Sequence, residues 1–232
     1  MSITFMTRRC MQIFAVMIPL AGCGGGKQPA VDAAIDALAL DCSTYCSQVQ
    51  KNCTGPNLQY ASTAECMGAC ASFTVGTSTV TDTSGNTLGC RIFHAGAPSV
   101  MTAATSCPHA GPAGDLINAP APAFCSGGDV CASFCTLEIL ACGSIDAPLP
   151  GNPTGVDGNP LFQYRNMERC MSVCGGFDKT HPYSTTAVGD SLACRLYHAV
   201  KAATSLPTSI AGMYCFSTGS NPSGDCAGAA SP

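Results

Sequence analysis

Two short segments of this 232-residue sequence place a histidine four residues after a cysteine, with an arginine between them. They are Leu88-Gly89-Cys90-Arg91-Ile92-Phe93-His94-Ala95 and Leu192-Ala193-Cys194-Arg195-Leu196-Tyr197-His198-Ala199. On a helix, residues i and i+4 share a face, so each Cys–His pair can supply two metal ligands from one turn. In the first segment's neighbourhood, Cys107-Pro108-His109 adds another cysteine and histidine and completes a conceivable Cys₂His₂ set. The second lacks that complement, because Cys215 is followed by Phe216 and Ser217. The competing reading is structural. Bridged cysteines offer no thiolate, and the histidines then serve as hydrogen-bonded residues between helices. That reading is preferred, so no metal site is favoured, and His94, His109 and His198 stand as the candidates for metal or haem. Arg91 and Arg195 are the ligand-binding candidates, since a guanidinium can hold a carboxylate or phosphate through two parallel hydrogen bonds. Their structural alternative is to fix a carboxylate, with Glu65 and Glu168 nearby, or the carbonyls at a helix end.

Signatures of catalysis are missing. The sequence has no G-x-S-x-G, H-E-x-x-H, Walker loop or dinucleotide-binding G-x-G-x-x-G. It also has no C-x-x-C-H for covalent haem, and its C-x3-C motifs differ from the redox C-x-x-C. No catalytic residue is assigned, and the expectation is a protein that is not an enzyme.

The two Cys–His segments belong to a larger repeat. Cysteines fall at 42, 46, 53, 66, 70, 90, 107 and 125, and again at 131, 135, 142, 170, 174, 194, 215 and 226. Each copy reads C-x3-C-x6-C, a variable gap, C-x3-C-x19-C and two further cysteines. Aromatic positions also correspond: Tyr45 with Phe134, Tyr60 with Tyr164, Phe73 with Phe177 and Phe93 with Tyr197. Aromatics recurring at matched places are what a packed interhelical core requires. The fold class expected is all-α and disulfide-rich, with two tandem homologous small helical domains.

In each copy the first three cysteines can line one helix, because i, i+4 and i+11 point in nearly the same direction. The preceding Val31 to Leu38 also carries helical apolar spacing. Cys66 and Cys70, or Cys170 and Cys174, line a second helix. Antiparallel packing of the pair sets Cys42 against Cys70 and Cys46 against Cys66, and likewise Cys131 against Cys174 and Cys135 against Cys170. These paired C-x3-C motifs resemble the α-hairpinin peptides, in which such motifs staple a helical hairpin. The resemblance covers the hairpin alone, and the gap between motifs is longer here. Some members of that group inhibit proteases, which gives a secreted protease inhibitor as one alternative function. A third helix is expected to start at Asn86-Thr87 or Asp190-Ser191, good N-cap residues after a turn glycine. For the remaining cysteines the assigned pairs are Cys53–Cys90, Cys107–Cys125, Cys142–Cys194 and Cys215–Cys226. Eight cysteines permit 105 pairings, so these rest on less than the hairpin bridges do.

The N-terminus carries a different signal. Arg8 and Arg9 precede an apolar stretch from Met11 to Leu20, which ends in Leu20-Ala21-Gly22-Cys23. That ending resembles the lipobox of bacterial lipoproteins. The resemblance implies cleavage before Cys23, lipidation (diacylglyceryl and acyl chains such as palmitate) of Cys23, and membrane attachment outside the cytoplasm. Gly24 stands where the family's inner-membrane retention residue would be Asp, which favours the outer membrane, at its periplasmic or surface face. Thr7-Arg8-Arg9 only faintly resembles a twin-arginine signal, and the general export route is the default. The expected organisation is a signal over 1–22, lipidated cysteine and tether over 23–30, repeat 1 over 31–126 and repeat 2 with a disordered tail over 127–232.

Composition agrees with export. Without Cys10 and Cys23, 16 of the 18 cysteines remain, an even number that suits a disulfide framework in an oxidising compartment. Charged residues are 10% of the chain and tryptophan is absent, which suggests small stapled cores in place of one large apolar core. Removing Arg8 and Arg9 leaves 8 basic against 14 acidic residues, so nothing recruits nucleic acid. The expected role is a non-catalytic structural or binding module of the cell envelope, with a protein, glycan or peptide as partner. The rival is a metal- or haem-binding lipoprotein built on the repeated Cys–His helix.

Overall fold

In a computed structural model of the chain, residues 39–115, 124–146, 162–205 and 213–228 are described. The export signal, Cys23, the tether and the approach from Val31 to Leu38 lie outside the described residues.

The described residues form eight α-helices and no strand. The first half contains α1 (Cys42–Asn52), α2 (Thr63–Cys70), α3 (Leu88–Ala95), α4 (Ala97–Met101) and α5 (Ala103–Ala110). The second contains α6 (Val130–Cys142), α7 (Met167–Cys174) and α8 (Leu192–Thr204).

Local chemistry starts each principal helix. Asp41, Ser62, Thr87, Asp129, Asn166 and Ser191 are N-caps whose side-chain oxygens accept a hydrogen bond from a first-turn backbone N–H. The caps at Thr87 and Ser191 stand where the sequence reading expects the third helix to begin. Gly85 and Gly189 supply the left-handed turn before them, with φ of 92° and 81°. Asp41 is extended, at φ −140° and ψ 165°, so α1 begins at Cys42.

Eight disulfides staple these helices. Cys42–Cys70 and Cys46–Cys66 join α1 to α2, and Cys131–Cys174 and Cys135–Cys170 join α6 to α7. These are the hairpin pairs the spacing predicts. The other four pairs differ from expectation. Cys53 is bridged to Cys107 rather than Cys90, and Cys90 to Cys125. Cys142 is bridged to Cys215 rather than Cys194, and Cys194 to Cys226. The last two cysteines therefore do not close a local tail loop; each reaches back to a helix. In the first half the physical cause is α5, which carries Cys107 back against α1 and α3. Its Ala-rich run with an internal Pro108 does not announce a helix.

Inside each half an aromatic trio packs edge to face. Tyr45 meets Tyr60 and Phe73 with centroids 6.2 and 5.7 Å away, and Phe134 meets Tyr164 and Phe177 at 6.3 and 6.1 Å. The buried apolar residues of both halves then join into one connected cluster, where composition suggests separate small cores. The junction is α2 against α8. A Cβ on Gly68 would lie 2.9 Å from the backbone of Ala203, so only glycine permits this approach. Beside it, Lys201 Nζ donates to Glu65 Oε1 across 2.5 Å. The disordered tail expected at the end of repeat 2 also needs correction, because Ser217 and Thr218 within it are buried and hydrogen-bonded.

Candidate functional site

The repeated arginines sit at the centre of each half. Arg91 is fully buried and its guanidinium lies 3.9 Å above the Phe73 ring, with Arg195 4.0 Å above Phe177. Arg91 Nε donates to the Gly111 carbonyl, and Nη1 to Asn86 Oδ1 and the Thr87 carbonyl. Arg195 Nε donates likewise to the Gly219 carbonyl, and Nη1 to the Ser191 carbonyl. Each arginine thus ties its own helix N-terminus to the segment that follows the seventh cysteine. The proposed carboxylates are elsewhere: Glu65 accepts from Lys201 and from the Ala61 N–H, and Glu168 is exposed.

A glycine that sequence reasoning overlooked completes this arrangement. A Cβ on Gly111 would lie 1.9 Å from Gln59 Oε1, and one on Gly219 would lie 2.3 Å from Gln163 Oε1. The signal was available, since each glycine stands four residues after the seventh cysteine of its copy.

The outer edges of the two arginines differ. Arg91 Nη2 donates to Ser133 Oγ at the start of α6, 3.2 Å away, so the second half covers it. Arg195 Nη2 instead donates to Asp190 Oδ1 at 2.6 Å, and that carboxylate is 60% exposed. Asp190, Asp178, Phe177 and Ser220 border an open cleft of about 380 Å³ at this edge.

The histidines take the place the C-R-[IL]-[FY]-H spacing gives them. In the first half, the ligand atoms of Cys90, His94 and Cys125 all lie within 4.8 Å of one another; in the second, those of Cys194, His198 and Cys226 do. All six residues are buried. In each case the two sulfurs are bonded together, so a histidine packs against a disulfide. The Cys₂His₂ set that included Cys107 is not assembled, because Cys107 is bridged to Cys53. His109 does approach, with its ring centroid 5.0 Å from that of His94 and its Nδ1 3.2 Å from Asp115 Oδ1.

Burial lowers the pKa of all three histidines, to about 4 for His109, where neighbouring His94 adds to the effect. The rings are neutral at pH 7. His94 Nε2 faces the Thr83 carbonyl at 3.2 Å; a carbonyl only accepts, so the ring proton sits on Nε2. That leaves the Nδ1 lone pair buried with no hydrogen-bond partner among the described residues. Both nitrogens of His198 lack one too, and the closest carboxylate oxygen, Asp225 Oδ2, is 3.7 Å from Nε2.

A family model described as the BfoA family C-terminal domain matches residues 25–133. The match spans the first copy of the cysteine pattern and ends inside α6, just under half of the chain. No curated protein and no solved structure matches the chain.

Proposed function

We propose that this protein is a non-catalytic scaffold or binding module of the cell envelope, held to a membrane by lipid on Cys23 and exposed beyond the cytoplasm. The observation that carries the reading is the pairing of every described cysteine into a bridge. Such a network persists in an oxidising compartment and is removed by cytosolic reductants. Attachment through lipid also fits the described helices, none of which is long and apolar enough to cross a membrane. Lipid chains contribute about 0.8 kcal/mol per buried CH₂, so several on one cysteine hold a protein stably. A glycine run, Gly24-Gly25-Gly26, follows Cys23 in the sequence, a composition suited to a linker. The two cysteine patterns share one buried cluster and together present an envelope protein, glycan or peptide with a surface.

The test is fatty-acid labelling and membrane fractionation of the full chain beside Cys23→Ser. The wild type is expected to incorporate label and sediment with outer membranes, and the variant to be unlabelled and released. A labelled, sedimenting Cys23→Ser chain contradicts the anchor. Peptide mass mapping that finds free thiols among the 16 remaining cysteines contradicts the scaffold.

A further inference from the structure

Two features of the histidine–disulfide clusters exceed what a scaffold requires. One is their duplication: neighbouring positions vary between the copies, as Ile92 with Leu196 and Phe93 with Tyr197, yet cysteine and histidine recur unchanged. The other is an uncompensated cost. A buried polar atom with no partner destabilises a fold by about 1–3 kcal/mol, and an apolar residue would avoid it. His94 Nδ1 and both nitrogens of His198 bear that cost next to a sulfur pair, in each half at the same place.

We propose that each cluster is a redox-gated metal site, closed while its disulfide is intact and able to take a borderline-soft divalent cation of the zinc class once a dithiol reduces the bridge. In the first half the ligands are Cys90, His94 and Cys125; in the second they are Cys194, His198 and Cys226. The dithiol transfers two electrons to the disulfide and is itself oxidised to a disulfide, while its two protons go to the protein sulfurs. Metal binding then expels those two protons, leaving two thiolates and one neutral imidazole around the cation, with a fourth position for water. A disulfide oxidant reverses the change: it takes two electrons from the thiolates and two protons from water to become a dithiol, the S–S bond re-forms, and the metal is released.

The surroundings suit that chemistry. A metal-bound histidine commonly donates its other N–H to a carbonyl or carboxylate, which fixes ring and tautomer. Thr83 already provides the carbonyl for His94, and Asp225 stands 3.7 Å from His198 Nε2. A proton on that nitrogen leaves the Nδ1 lone pair of each ring available to a metal. Asp225 is 70% exposed beside Cys226, so the second bridge lies one residue beneath the surface. The hairpin bridges have no such arrangement; among the described residues these two clusters are the groups with metal-ligand spacing.

The proposal goes beyond the scaffold reading and can fail without it. Cobalt(II) is the probe, added to the full-length protein before and after a graded phosphine reduction in which mass mapping follows each bridge. The oxidised protein is expected to give no cobalt–thiolate absorption. After Cys90–Cys125 and Cys194–Cys226 open, the intense visible bands of tetrahedral cobalt are expected, at one ion per cluster. His94→Ala and His198→Ala should each remove one ion, and the double variant both. His94→Phe and His198→Phe, which keep a ring in each space, should lose cobalt equally and so separate ligation from packing. Cobalt bound equally by the double variants, no binding after reduction, or His-dependent binding to the oxidised protein would each overturn the proposal.

Discussion

After Ala95 in the first half and Ala199 in the second, the two copies part. The first continues Gly96-Ala97-Pro98, and the helix stops: Gly96 adopts ψ −131°, and Pro98 opens the short α4. The second continues Val200-Lys201-Ala202, and α8 runs unbroken to Thr204. The extra turn supplies Lys201 and Ala203, the surface on which Gly68 and Glu65 of the first half rest. A second contrast lies in the core. Val49 occupies an apolar position of α1, whereas the equivalent residue of α6 is Glu138, fully buried. One set of bridges thus supports two different interiors. The disulfide frame tolerates a carboxyl in the core and a helix extended by a turn, provided the Arg, Gly and Gln around each aromatic trio are kept.

The largest effects should come from the arginines, and they should be unequal. Arg91→Ala strips a charged donor from Asn86 and from two carbonyls, and is expected to cost about 3–5 kcal/mol in urea unfolding with bridges intact. Arg195→Ala should cost less, about 2–3 kcal/mol, because exposed Asp190 regains water. Equal losses would show that the exposure of Asp190 makes no difference.

Glu138 should make the second half sensitive to alkaline pH at a core position where the first half has the uncharged Val49. Burial raises its pKa to about 8 from 4.5, against a smaller opposing hydrogen bond from Thr218. Thr218 Oγ1 lies 2.8 Å from Glu138 Oε1 and 2.7 Å from the Cys215 carbonyl. One hydroxyl proton cannot serve both acceptors, a conflict that a protonated Glu138 resolves. The folded state binds this proton more tightly than the unfolded state does. Its contribution is therefore complete below pH 4.5 and is lost as pH rises through about 8. Between those limits the loss should reach a few kcal/mol, on the order of 1.4 per pH unit. Thermal unfolding across pH 7 to 9, where the buried histidines are neutral in both states, should show the decline, and Glu138→Val should flatten it.

Smaller effects probe the junction. Gly68→Val forces α2 away from α8 and should cost about 1–3 kcal/mol, while Ser172→Val at the matched, exposed position of α7 should stay within about 0.5. Smallest are the caps: Thr87→Ala and Ser191→Ala should each cost about 1 kcal/mol, and by the same amount, since both accept from the cysteine N–H at 3.2 Å.

How much of this was legible depended on whether the information was local. Hairpin bridges could be read because two C-x3-C turns, set antiparallel, leave one register in which both pairs meet. The third-helix starts could be read because Thr87 and Ser191 follow turn glycines. Cys53 and Cys90 could not be placed, since their partners arrive on segments whose position is set by tertiary packing. The histidine's neighbour was half legible: helical spacing put His94 beside Cys90, but Cys125 comes from 35 residues downstream. Arg91 and Arg195 were recognised as repeated, and their acceptors proved to be carbonyls, which carry no side-chain signature.

The order of the bridges along the chain has a consequence for how the protein is made. Cys42–Cys70 encloses Cys46–Cys66, so that pair of loops can close one inside the other. Cys53–Cys107 and Cys90–Cys125 interleave, as do Cys142–Cys215 and Cys194–Cys226. For a chain that oxidises from its N-terminus, Cys90 is available to Cys53 before Cys107 is, and Cys194 to Cys142 before Cys215. Once the hairpin bridges have closed, the next cysteine to arrive is the non-native partner in both halves. A Cys53–Cys90 or Cys142–Cys194 bridge formed at that stage has to be undone by thiol–disulfide exchange, the reaction an isomerase catalyses, before the native pairs can close.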